Sequence, residues 1–129
     1  MTYIKFINLY KQNSLAKKKY YFIHRNKITN MLIKKFIELG LIKYTKKGKN
    51  DNYKICIYIN YIKNTNIYTK IKNLYKLSNK KNVNVKSLLI NKKFKLNTML
   101  LLLTSKGILT NFEAINQKTG GILLCQINY

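Results

Sequence analysis

Apolar and polar positions follow two periods along this chain, and each change of period marks an element. Tyr3, Phe6, Ile7 and Tyr10 recur at i, i+3, i+4 and i+7, which puts them on one face of a helix over residues 2–12. Three lysines, Lys17, Lys18 and Lys19, separate that helix from a short strand over residues 20–23. Ile28, Met31, Leu32, Phe36 and Leu39 form a second helical stripe. Asn26 is placed to cap its start, and Gly40 sits at the C′ position that ends it. Residues 41–46 and 53–62 read as strands joined by a polar loop, residues 47–52. In the second of these strands Ile55, Ile57 and Ile59 point one way and Cys56, Tyr58 and Asn60 the other.

The later half is more apolar. A strand is expected over residues 67–77, then a basic loop at 78–82 and a short alternating strand, Val83-Asn84-Val85. Residues 100–104 are continuously apolar up to Thr104 and read as a buried strand. Thr110-Asn111-Phe112-Glu113 is a capping box, in which the threonine hydroxyl accepts from the Glu113 amide and the glutamate reaches back. A short helix should run from there to about Lys118 and stop at Gly120-Gly121, with a last strand over residues 122–127. The fold class predicted is α+β. An N-terminal α/β lobe (two helices, three-stranded sheet, residues 1–65) packs on a C-terminal, mostly β lobe with one short helix (residues 66–129).

Charge narrows the function. The chain has 129 residues with 26 Lys+Arg against 3 Asp+Glu, a net charge of +23. Its 47% hydrophobic content, with 11 Tyr and 5 Phe, is too high for a disordered basic tail, so the chain folds. A folded monomer this basic repels itself, and its natural partner is a polyanion. No apolar run approaches the roughly 20 residues needed to cross a bilayer, so no membrane partner is expected. The first residues lack both the apolar core of a secretory signal and the Arg/Ser-rich character of a transit peptide. Lys, Asn, Ile and Tyr abound, Pro and Trp are absent, and Arg25 is the single arginine. That pattern follows A/T-rich codons and suggests an organelle-encoded protein: mitochondrial first, with a plastid-type organelle or a bacterial cytoplasm as alternatives.

Enzyme chemistry is not expected. The acids are Glu38, Asp51 and Glu113 alone, too few for metal-dependent phosphodiester chemistry and with no pair suited to acid–base work. Glu113 is explained by capping and Glu38 by pairing with Lys34 or Lys35. His24 is the single histidine, assigned to packing or a phosphate contact. Cys56 and Cys125 lie in apolar stretches and read as buried free thiols. No catalytic residue, metal site, cofactor or small-molecule substrate is predicted.

The tail carries the functional signal. A buried strand ends in Thr104, Ser105, Lys106 and Gly107 shortly before a capped helix, so short donors and backbone N–H groups stand at the rim of a sheet. Such small groups can approach an RNA groove closely and reach 2′-hydroxyls and phosphates, although an ordinary strand-turn-helix connection has the same outline. This segment resembles the C-terminal signature of the bacterial-type small-subunit ribosomal protein S-eight family. Thr104 to Gly107 match its hydroxyl-Lys-Gly turn, Thr110, Glu113 and Ala114 its helix start, and Gly120 and Gly121 its diglycine. The stretch from Lys27 to Leu41, with Glu38-Leu39-Gly40, resembles the family's second helix. Leu103, Asn111 and Ile122 replace the family's serine, aspartate and glutamate, and the Pro-Gly expected after Ser78 is lysine and asparagine.

The resemblance implies a structural constituent of the ribosome that binds a helical junction in the central domain of small-subunit rRNA. It implies support for subunit assembly and contacts with neighbouring small-subunit ribosomal proteins. By position, Thr104, Ser105, Lys106 and Gly107 are the close rRNA contacts, supported by Gly120 and Gly121, with Asn26 and Lys27 from the first lobe. Lys17, Lys18 and Lys19 join them on charge alone. The alternative is a stand-alone basic nucleic-acid-binding or chaperone protein without rRNA specificity.

Overall fold

The computed structural model describes residues 3–48, 53–61, 70–73, 82–90 and 98–128. They belong to two compact units, Met1–Ile67 and Tyr68–Tyr129. With two helices and a three-stranded sheet in the first unit and strands with short helices in the second, the α+β class is as predicted.

In the first unit α1 (Tyr3–Leu15) precedes β1 (Tyr20–His24), α2 (Lys27–Glu38), β2 (Ile42–Lys47) and β3 (Lys54–Ile59). The strands form an antiparallel sheet in the order β1-β3-β2, so α2 links two strands that flank the one made last. Phe6, Ile7 and Tyr10 from α1 and Leu32, Ile33 and Phe36 from α2 are buried, as are Tyr21, Ile23, Ile55, Ile57 and Ile59 from one face of the sheet. Phe6 and Tyr10 both meet the Phe36 ring edge-on, with centroids 5.3 and 5.2 Å away. The Tyr10 hydroxyl donates to the Leu41 carbonyl at 2.8 Å, tying the first helix to the start of the second strand.

The boundaries follow from local chemistry. Asn26 caps α2 in a reciprocal box: its Oδ1 accepts from the Thr29 amide at 2.8 Å, and Thr29 Oγ1 accepts from the Asn26 amide at 2.7 Å. Gly40, at φ +80, closes the other end, its N–H donating to Ile37 while the Leu41 N–H donates to Phe36. Both ends match the sequence reading. α1 runs further than expected, to Leu15. Its last turn is polar, so apolar spacing could not mark it, and Asn13 donates back to the Leu9 carbonyl at 2.7 Å. The left-handed residue closing α1 is Lys17, at φ 55.

The second unit is built around β8 (Gly121–Asn128). On one edge it pairs with β4 (Lys70–Asn73) and β5 (Asn82–Val83), on the other with β6 (Thr98–Thr104), and β7 (Gly107–Thr110) lies beyond β6. Leu88 from α3 (Val85–Ile90), Ala114 from α4 (Asn111–Asn116), and Leu100, Leu102 and Leu123 form its apolar core. Two elements differ from expectation. The alternating Val83-Asn84-Val85 is not one strand: Asn84 Oδ1 accepts the Ser87 amide at 2.7 Å and caps α3, which starts at Val85. Residues after Gly107 do not run straight into a helix; they first pair with β6 as β7. Of the predicted strand at 67–77 only β4 is described, and of the basic loop at 78–82 only Asn82, which belongs to β5; the rest lies outside the described residues.

Candidate nucleic-acid interface

The four tail candidates form one feature, the β6–β7 hairpin tip. The ladder runs from Leu101↔Thr110 to Thr104↔Gly107, leaving Ser105 and Lys106 as the loop. Neither loop residue has positive φ; the left-handed step falls on Gly107, at φ +105, as in a turn closed by a glycine bulge. Thr104 Oγ1 donates to the Gly107 carbonyl at 2.8 Å and accepts from the Lys106 amide at 3.1 Å. Its hydroxyl proton is therefore occupied inside the turn. Ser105 and Lys106 are exposed, and their polar tips are the ones the hairpin presents to solvent. The structure thus divides the group by chemistry: Thr104 and Gly107 shape the tip, Ser105 and Lys106 stand on it.

Gly120 and Gly121 lie behind the tip. A Cβ on Gly120 would stand 2.5 Å from the Val83 carbonyl oxygen, and one on Gly121 would strike the Leu103 carbonyl and come within 2.8 Å of Thr104 Cγ2. No side chain fits where β8 enters between β5 and the end of β6. The diglycine packs backbone on backbone and fixes the strand from which the tip projects.

Two buried polar residues anchor the other end of the hairpin. Thr110 caps α4 as predicted, its Oγ1 accepting from the Glu113 amide at 3.2 Å and Glu113 Oε1 accepting from the Thr110 amide at 3.3 Å. Asn111, where the resemblance expected aspartate, directs Oδ1 at the Leu100 amide, 3.3 Å away. Because β7 turns into α4 at this point, the β6 backbone beyond it has lost its neighbour, and a side-chain oxygen replaces the missing carbonyl. Either asparagine or aspartate supplies that acceptor. The helix then closes on Lys118, at φ 54, ahead of the diglycine expected to stop it.

The first-unit candidates do not converge. Lys17, Lys18 and Lys19, all exposed, precede β1, whereas Asn26 and Lys27 follow it. A five-residue strand, about 16 Å long, separates the two groups. Asn26 serves as the α2 cap, so exposed Lys27 and the positive end of the helix are what this site offers an anion; the first turn holds no acidic residue. Glu38, the acid on α2, pairs with Lys35 at 3.3 Å, one of its two predicted partners. Cys56 and Cys125 are buried free thiols, as expected, and burial pushes the Cys125 thiol up to about 12. Among the described residues no group of His, Cys, Asp or Glu could hold a metal ion, and no helix is long and apolar enough to cross a membrane.

The described geometry offers hydroxyl, ammonium and glycine backbone at a hairpin tip, in a chain with almost no negative side chains. A family model described as Ribosomal protein S8 matches residues 5–128. The chain belongs to that family. Membership makes it a structural ribosomal protein of the small subunit that binds rRNA and other ribosomal proteins, in a family that is not one of enzymes. The residues quoted for the resemblance thus pointed to the right family. A search of curated proteins returned no match.

Sequence reasoning missed one feature of the first unit. Tyr20, Phe22, Tyr44 and Tyr58 gather on the sheet face opposite the helices, with Lys46 Nζ 5.7 and 5.5 Å from the Tyr44 and Tyr58 ring centroids. Alternation along β3 sets Tyr58 on the side opposite Ile55, Ile57 and Ile59, but the register that adds the other rings is a tertiary property.

Proposed function

We propose that this protein binds a helical junction in the central domain of small-subunit rRNA and thereby supports assembly of the subunit. The observation that carries this reading is the β6–β7 tip. Thr104 holds a two-residue loop shut with its own hydroxyl, and Ser105 and Lys106 project from a compact turn that can reach the 2′-hydroxyls and phosphates along a shallow RNA minor groove. Ser105 supplies a hydroxyl to 2′-OH or phosphate oxygens, Lys106 a point charge, and Gly107 a backbone without Cβ. Lys27 at the α2 start and the Lys17–Lys19 run add phosphate contacts from the first unit. The codon-driven composition supports an organellar ribosome, mitochondrial by first choice; co-sedimentation with small subunits from a mitochondrial lysate tests that reading.

The direct test compares the full chain on a small-subunit rRNA junction and on a random duplex of equal length at fixed salt. Clear preference for the junction, lost in Ser105→Tyr, is the expected result. A stand-alone basic chaperone would bind both RNAs alike, and wild-type affinity in Ser105→Tyr combined with Lys106→Ala would remove the tip from the interface.

A further inference from the structure

The outer face of the β1-β3-β2 sheet is an ordered array. The register sets Tyr20 beside Tyr58 beside Tyr44 in one row, Phe22 beside Cys56 beside Lys46 in the next, and His24 beside Lys54 in the third. Tyr44 and Tyr58 stack with centroids 4.4 Å apart and planes 21° from parallel; Tyr58 and Tyr20 are 5.5 Å apart, and Tyr20 meets Phe22 edge-on at 5.8 Å. Phe22 is 57% exposed and Tyr20 48%. A row of rings, Tyr20, Phe22 and Tyr44 exposed and Tyr58 half-buried among them, thus lies on a sheet whose other face is the unit's core.

We propose that this face is a stacking platform for unpaired bases of a single-stranded RNA segment, a binding element separate from the hairpin tip. Charge decides the occupant. The array carries Lys46, Lys54 and His24 and no acid, and Glu38 on α2 is paired with Lys35. Lys46 reaches over two of the rings, so a cation stands where a backbone phosphate would lie if a base stacked on the neighbouring ring. Sheets that bind single strands combine these two properties, aromatic rings for bases and positive charge for the backbone. A protein partner on this face would have to supply acidic side chains to match its cations, whereas RNA carries that charge on every nucleotide. Here the exposed apolar surface is aromatic and its rim is cationic.

The experiment uses the full chain and a labelled oligouridine of about eight nucleotides, against an abasic ribose-phosphate strand of equal length, in about 0.15 M salt. The base-bearing strand should bind roughly ten-fold tighter. Tyr20→Leu with Phe22→Leu, two exposed positions, should remove that margin while leaving affinity for the rRNA junction nearly unchanged; circular dichroism checks that the double variant is folded. Ser105→Tyr should do the reverse, so the two sites fail separately. Photocrosslinking with 4-thiouridine should label peptides from β1, β2 or β3. Equal affinity for base-bearing and abasic strands would overturn the platform, as would crosslinks confined to the second unit. A double variant that binds oligouridine normally but loses self-association in sedimentation would assign the face to a protein contact instead, and also overturn it.

Discussion

Tyr21 illustrates how a single polar atom can work against the fold. Its ring fills the first-unit core, yet its hydroxyl is buried without a hydrogen-bond partner. Tyr21→Phe removes only that oxygen and should stabilise the protein by about 1 kcal/mol in denaturant titration. The same burial, reinforced by Tyr10 and Tyr61, holds the Tyr21 phenol well above its ordinary value, and Cys125 is pushed up to about 12. In the unfolded chain these groups ionise near their ordinary values, so the unfolded state releases protons first as pH rises. The stability contributed by these two groups should be constant below pH about 9 and be lost above it, first through Cys125 and then, above about 10, through Tyr21. Thermal midpoints measured across this range check the sign, and Tyr21→Phe should flatten the upper part of the loss. Two lysines present the opposite case. Lys17 and Lys118 occupy left-handed backbone at helix ends, where glycine fits without strain. Lys17→Gly and Lys118→Gly should each gain about 1 kcal/mol in thermal unfolding; if Lys17 contacts phosphate, its variant should become more stable and bind RNA less well.

Among the elements, β8 and the β6–β7 hairpin are the pair on which the tip depends. Gly121→Ala would push a methyl group into the Leu103 backbone carbonyl and against the Thr104 side chain, whose hydroxyl is already held in the turn, so the strand or the tip must shift. A loss of roughly 1–3 kcal/mol is expected, with weakened junction binding in step. Asn111→Ala would leave the Leu100 amide buried without an acceptor and should cost roughly 1–3 kcal/mol, whereas Asn111→Asp keeps the acceptor and should be milder. Elements marked by their own neighbours were readable from sequence. The Asn26 cap, the Gly40 stop and the Thr110–Glu113 box each act within a few residues, and each was found. The elements that were misread are just as local, but there the residue pattern favours another reading. β7 exists because β6 lies beside it, and Val85 joins a helix because Asn84 caps it against the alternation of its neighbours. The site divides in the same way. The motif located the tip, but Thr104 and the diglycine turn out to build it, which only their close contacts reveal.

For the whole molecule, charge sets the behaviour. With +23 spread over a small chain, RNA affinity should fall steeply as salt rises, and the slope of log affinity against log salt counts the phosphates engaged. Lys17→Ala, Lys18→Ala and Lys19→Ala combined should flatten that slope by about one phosphate per lysine engaged while preserving preference for the junction over duplex. An unchanged slope would mean that this run stays in solvent. Connectivity has a consequence of its own. Among the described strands β4 and β5 pair with β8 alone, so both must wait, edges open, until residues 121–128 have been translated. In the first unit β1 and β2 likewise wait for β3, but that wait ends at Ile59. Synthesis therefore produces a finished α/β unit trailing an unfinished sheet, a stage at which exposed strands are vulnerable to mispairing and proteolysis.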